Sequence, residues 1–297
     1  MVRPGILLVE KPGGITSHDV VSRARRALGT RKIGHAGTLD PMATGLLVLG
    51  VEGATRLLTY IVGADKTYEA TILLGVSTDS DDADGVETER ADADAVAAVT
   101  DSAIHEGIAA LTGEIDQVPS TVSAIKVDGR RAYDLARAGE QVELKSRRVT
   151  VSRFDVHATR RGQGSIELDV VVDCTSGTYI RALARDLGRA LGVGGHLTAL
   201  RRTRIGAFDV VGAASVDDLA EDALIEPATA AAVVMGAIAV GPDEARDLRH
   251  GKRIDGGGRL TGAVAAAIDP DGRLIGVVEK RGTQLKSVMN MPEESVR

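Results

Sequence analysis

Cysteine is almost absent from this chain: among 297 residues there is only Cys174. An intramolecular disulfide and a cysteine-built metal site are therefore excluded, and a reducing compartment is expected. Long apolar runs are missing too. None approaches the ~20 residues of a membrane span, and Met1-Val2-Arg3-Pro4-Gly5 lacks the apolar stretch of a secretory leader, so a cytoplasmic protein is expected. There is no internal repeat, and His18, His105, His157, His196 and His250 show no metal-ligand spacing. What is present is 43% hydrophobic residues at a mean hydropathy of +0.02, enough for a real core in one large domain with a smaller companion.

A net charge of −6 argues against a polyanionic partner only until its distribution is read. Residues 79–116 hold twelve acids against Arg90 alone, a net of −11, so the remainder carries +5. Basic residues gather in three groups: Arg23, Arg25, Arg26, Arg31 and Lys32; the stretch from Lys126 to Arg161; and Arg181, Arg185, Arg189, Arg201, Arg202 and Arg204. A basic face with an acidic back, remote from any phosphate, is the arrangement this suggests.

Along the chain, Ile6 to Val9 predict a buried strand. A helix follows, capped by Thr16 or Ser17, carried by Val20, Val21, Ala24 and Leu28 and stopped by Gly29. Asp40 stands in Gly34-His35-Ala36-Gly37-Thr38-Leu39-Asp40-Pro41-Met42-Ala43-Thr44-Gly45, where the glycines permit close backbone approach and Pro41 biases Asp40 away from helix. The segment suits a site, and equally an Asp-Pro turn between strands. Tyr68, Ala70, Ile72 and Leu74 share one strand face, and Ile166, Leu168, Val170, Val172 and Cys174 another. Residues 77–94 read as a loop, Val96 to Leu111 as a helix, and 114–145 as an inserted flap. Arg181 falls where a strand gives way to a helix marked by Leu183, Leu187 and Leu191. Past the alanine-rich 218–237, Ala237 to Val240, Arg253-Ile254 and Val264 to Val278 suggest a small β-rich unit, with a boundary near residue 233.

Several segments together resemble one family, the TruB-type tRNA pseudouridine synthases of the stand-alone bacterial kind. They are Gly5 to Pro12 with Thr16-Ser17, the Asp40 segment, Lys66-Thr67-Tyr68, Gln117 to Ser120 with Ser123 to Lys126, Gly177 to Arg181, and Leu200-Arg201-Arg202. The resemblance implies an α+β catalytic domain over 1–233 with a mixed, largely antiparallel sheet flanked by helices and an inserted flap. It also implies isomerisation of the uridine at position 55 in the tRNA T arm. That reaction breaks the N-glycosidic bond, turns the base and joins its C5 to the ribose, with nothing oxidised and no group lost, so no cofactor or metal is expected. By the same resemblance Asp40, Tyr68 and Arg181 are the catalytic residues: an acid, a ring under the detached base and a cation. His35 is implied to enter the RNA loop as the uridine is flipped out, and Tyr179 and Leu200 to line the uracil pocket. Lys11 and Pro12 are implied to shape the pocket floor, and Lys126 and Arg202 to contact phosphate. Ala245 to Leu248, Gly251 to Ile254 and Asp271 to Gly276 resemble a divergent PUA-like RNA-binding module over 234–297.

A glycosidase would need a second acid across the bond, and Asp40 has no evident partner acid in the sequence. A non-catalytic tRNA-binding or tRNA-folding protein would suit the basic groups as well, but has no use for the set Asp40, Tyr68 and Arg181. Guide-RNA-dependent relatives share the catalytic motifs; the extended tails of those proteins are not resembled, so neither a guide RNA nor an obligate protein partner is expected.

Overall fold

The computed structural model describes residues 2–121, 126–127, 130–131 and 144–292. The chain forms a mixed α+β fold with a large sheet, followed by a second, five-stranded sheet near the C-terminus. It divides into two compact units, one of Met1–Pro41, Gly45–Ala64 and Ile205–Arg297, the other of Met42–Thr44 and Asp65–Arg204.

The first unit starts with strand β1 (Gly5–Lys11), helix α1 (Ser17–Ala27), strand β2 (Ile33–Ala36) and strand β3 (Thr44–Val51). Both β1 and β2 run antiparallel to β3, with Gly5 and Ile33 each opposite Val51. Two-residue alternation splits these strands between two cores. Leu7, Val9, Leu47, Leu49 and Val51 pack under Val20, Val21 and Ala24 of α1. Ile6, Leu46 and Val48 face the other way, which is why β1 and β3 read as unbroken apolar runs. Thr16 caps α1, its hydroxyl accepting from the Asp19 amide while the Asp19 carboxylate accepts in return from the Thr16 amide.

The second unit is built on β4 (Lys66–Leu74), β5 (Gly113–Gln117), β6 (Arg147–Gly162), β7 (Ser165–Cys174) and β8 (Gly195–Ile205), with helices α2 (Asp101–Ala110) and α3 (Ile180–Ala190). Strand β7 pairs antiparallel with β4, from Ile166 opposite Leu74 to Cys174 opposite Lys66, and on its other side with β6. Its expected alternation is realised residue by residue: Ile166, Leu168, Val170, Val172 and Cys174 are all buried. Helix α3 lies so close to the turn before β8 that a Cβ on Gly188 would stand 2.2 Å from the Gly194 carbonyl carbon.

Three expectations change here. The loop foreseen over 77–94 contains an antiparallel pair, Val76–Thr78 with Glu87–Arg90. The single helix foreseen from Val96 to Leu111 is two, Ala93–Ala97 and α2, because Thr100 accepts from the Ala103 amide and starts the second afresh. The flap foreseen from residue 114 begins as strand β5, paired with β6. Most of that flap lies outside the described residues, apart from the pairing of Lys126–Val127 with Arg130–Arg131.

The remainder of the first unit carries helix α4 (Pro227–Met235) and the five-stranded sheet, ordered Ala237–Ala239, Val264–Ile268, Leu274–Arg281, Gln284–Asn290, Ile254–Asp255. Between the strands Ala237–Ala239 and Ile254–Asp255 stands a helix, Pro242–Arg249, that apolar periodicity did not suggest. Ala228, Ala230 and Ala231 of α4 and Ala266, Leu274 and Val277 of the sheet join Ile6, Leu46 and Val48 in one apolar cluster. Ile6 and Ile225 also exchange both backbone hydrogen bonds, at 2.9 and 2.8 Å.

Candidate active site

Asp40 lies on the non-helical connection between β2 and β3, and its backbone neighbours are clamped. The hydroxyl of Ser17, itself buried, accepts from the Leu39 amide at 2.8 Å and donates to the Leu39 carbonyl at 3.1 Å, imitating a strand partner. On the other side the Pro41 carbonyl accepts from the Gly14 amide at 2.9 Å and from Lys11 Nζ at 3.1 Å. Lys11 is fully buried, and its ammonium also donates to the Pro12 and Ile15 carbonyls. A buried cation is tolerated when oxygens replace its water, and here those oxygens tie the β1–α1 loop to the Asp40 loop. Gly37 and Gly45, at φ +83° and +97°, allow the chain to leave β2 and enter β3 in conformations that strain other residues. Asp40 remains half-exposed between two fixed flanks. His35, in β2 opposite Leu49, is half-exposed; Pro12 is exposed.

The second unit assembles the other expected residues. Tyr68 is buried on β4 opposite Val172. Arg181 is the second residue of α3; only 3% exposed, its Nη1 lies 3.1 Å from the Asp82 carboxylate and donates to the Ser80 carbonyl at 2.7 Å. One turn on, Arg185 pairs with Asp81 at 3.1 Å and donates to the Val118 carbonyl. Burial pushes the Asp81 carboxyl up from its ordinary value, against the pull of Arg185. Tyr179, the N-cap of α3, has both backbone groups held by the Gln117 amide, at 2.8 and 3.0 Å, and the Arg147 guanidinium 5.7 Å from its ring centre. Leu200 is buried on β8. Arg202, on the same strand, is 1% exposed. The Lys126 side chain lies outside the described residues.

Asp40, His35, Lys11 and Pro12 thus belong to the first unit, and Tyr68, Tyr179, Arg181, Leu200 and Arg202 to the second. Sequence reasoning missed Asp81 and Asp82, assigning them to a solvated acidic back. Their signal was present: arginines at 181 and 185, four residues apart on one helix face, can receive two adjacent carboxylates. Lys66 was also missed as an ionisable group. Buried at the start of β4 and next to Arg202, it has a pKa lowered to about 8. Among the described residues no group of three or more His, Cys, Asp or Glu could hold a metal ion, and no helix is long and apolar enough to cross a membrane.

The first unit thus holds a clamped acid on a loop, and the second a buried arginine–aspartate pair at a helix start. Comparison with known proteins gives the chain's family. Residues 25–180 match the TruB family pseudouridylate synthase N-terminal domain, 181–235 the tRNA pseudouridylate synthase B C-terminal domain, and 235–292 the C-terminal region of tRNA pseudouridine synthase II. Similar proteins include tRNA pseudouridine synthase B of Leifsonia xyli subsp. xyli, 56% identical over 100% of this chain and 99% of that one. That of Mycobacterium ulcerans is 51% identical over 96% and 94%. The fold is shared with a chain in a structure of an H/ACA RNP bound to a substrate RNA containing 2′-deoxyuridine, at TM-score 0.71 and 22% identity over 98% of this chain and 86% of that one. A Cbf5-Nop10-Gar1 complex gives TM-score 0.69 at 24% identity over 98% and 84%. The chain belongs to the TruB family of tRNA pseudouridylate synthases, and it is an isomerase.

Proposed function

We propose that this enzyme isomerises the uridine at position 55 of the tRNA T arm, with Asp40 as its essential acid. The observation that carries the reading is the clamp on Leu39 and Pro41. It holds a half-exposed carboxylate at a fixed place, as chemistry on a bound nucleotide demands and an ordinary turn does not. In the reaction the N1–C1′ bond of uridine breaks and a C5–C1′ bond forms; C5 loses a proton and N1 gains one. Asp40 serves as nucleophile or as the charge facing the departing base, Tyr68 supports the freed ring, and Arg181 supplies positive charge, its guanidinium steadied by Asp82. Tyr179 and Leu200 line the uracil pocket, and His35 fills the gap left by the flipped base, whose unstacking costs a few kcal/mol. Lys11 and Pro12 form the floor by fixing the backbone around Asp40.

We further place the division between catalytic and RNA-binding regions near residue 233, supported by the separate sheet that starts at Ala237 and by the family match that changes at residue 235. The enzyme is proposed to work in the cytoplasm, on tRNA alone, without guide RNA. Purified protein incubated with unmodified T-arm RNA should yield pseudouridine at the T-arm uridine. Asp40→Ala should yield none, and Asp40→Asn should abolish turnover while leaving tRNA affinity within a few-fold. Product at another position, or turnover by either variant, would overturn the reading.

A further inference from the structure

The basic residues between 23 and 32 divide into two kinds. Arg23 pairs with Asp217 at 3.0 Å and Lys32 with Glu52 at 3.4 Å. Among the described residues Arg25, Arg26 and Arg31 have no carboxylate partner, although most of the described arginines do. Arg25 donates from Nη2 to the Ile33 carbonyl at 3.1 Å, while its Nε is buried with no acceptor. Arg26 and Arg31 make no described side-chain hydrogen bond. These three side chains, with Gly29 and Thr30, line an open depression of about 750 Å³ at the C-terminal end of α1. The helix dipole accounts for cations in the last turn. It does not account for Arg31, which lies beyond the helix and is exposed.

We propose that Arg25, Arg26 and Arg31 form a site for the phosphodiester backbone of the RNA substrate, apart from the reacting uridine. Guanidinium groups suit phosphate oxygens, which they meet with two parallel N–H bonds, and the exposed side chains of Arg26 and Arg31 offer such forks. The location suits the reaction. Arg31 and the Ile33 carbonyl held by Arg25 stand at the start of β2, the strand that carries His35 and leads to the Asp40 loop. From Ile33 to Ala36, strand β2 advances roughly 10 Å. Phosphates flanking a uridine engaged at Asp40 would be held at this depression, so that the site secures affinity and register without reading sequence. The inference rests on tRNA being the substrate.

The test compares wild type with Arg26→Gln/Arg31→Gln, whose native side chains make no described intramolecular bond, and with Arg26→Lys/Arg31→Lys. Affinity for a tRNA transcript is measured by filter binding from 50 to 300 mM salt, alongside single-turnover pseudouridine formation at saturating tRNA. The Gln variant should bind tRNA at least ~5-fold more weakly at low salt, with its log–log salt slope shallower by roughly 1.5 for two phosphates released, while its saturated rate stays within twofold. The Lys variant should recover most of the slope. Unchanged affinity and slope in a folded Gln variant would overturn the site, as would a loss of saturated rate with affinity intact. Failure of wild type to modify tRNA would instead refute the substrate assignment, and the binding measurement keeps the two failures apart.

Discussion

Ser17 does with one hydroxyl what a strand partner does with two backbone groups, and the conformation next to Asp40 depends on it. Replacing it by Ala strands the Leu39 amide and carbonyl in a buried place, at about 1–3 kcal/mol for each unsatisfied group. Ser17→Ala should therefore lower the melting temperature by several degrees and reduce kcat by about tenfold or more with KM little changed; an equal fall in stability without loss of kcat would reduce Ser17 to a structural role. Lys66 gives a pH prediction. Its pKa is lowered from 10.5 to about 8, so the folded state holds fewer protons than the unfolded state between those values. The stability this group contributes is full above pH 10.5 and is lost as pH falls toward 8. Opposite it, Cys174 is pushed up to about 11, and its contribution runs the other way above pH 9. Stability should rise between pH 8 and 9 and then flatten, and Lys66→Met should remove the rise; urea unfolding midpoints across this range decide it.

At the scale of elements, much was legible. Strand β7 announced itself because one face is buried at every step and the other is half-exposed and mostly polar, and α1 because its cap, apolar stripe and stop agree. Strand β6 was not seen, since most of its residues beyond Phe154 are exposed or half-exposed and carry no periodic apolar signal. Helix Pro242–Arg249 was hidden similarly, with only Ala245 and Leu248 buried. The loop identity of Asp40 was legible from Gly and Pro; the clamp was not, because Ser17 and Lys11 reach it across long stretches of chain. The packing of α3 is tight enough to test. Gly188→Ala places a methyl against the backbone of Gly194 and Gly195, and such overpacking costs ~1–3 kcal/mol, visible as a lower melting temperature.

For the whole molecule, charge arithmetic misled where contact geometry corrects it. The acidic stretch is not simply a repelled back, because Asp81 and Asp82 are buried against α3 and neutralised by its arginines. The C-terminal sheet, expected as an appended module, shares an apolar cluster with β1 and β3. Truncation after residue 233 should therefore yield a protein that aggregates or melts well below the full chain, rather than a stable enzyme with weakened RNA affinity; soluble yield and calorimetry distinguish the outcomes.

That shared cluster also bears on the order of events at the ribosome. Strand β1 emerges first, yet Ile6 cannot be fully enclosed, nor its backbone exchange hydrogen bonds with Ile225, until more than two hundred further residues have been made. At synthesis rates of about 5–20 residues per second, the opening strand waits for ten seconds or more with one apolar face uncovered. Within the first unit, the earliest strand made is therefore among the last to be sealed, and the nascent chain's exposure to chaperones is set by its C-terminal third.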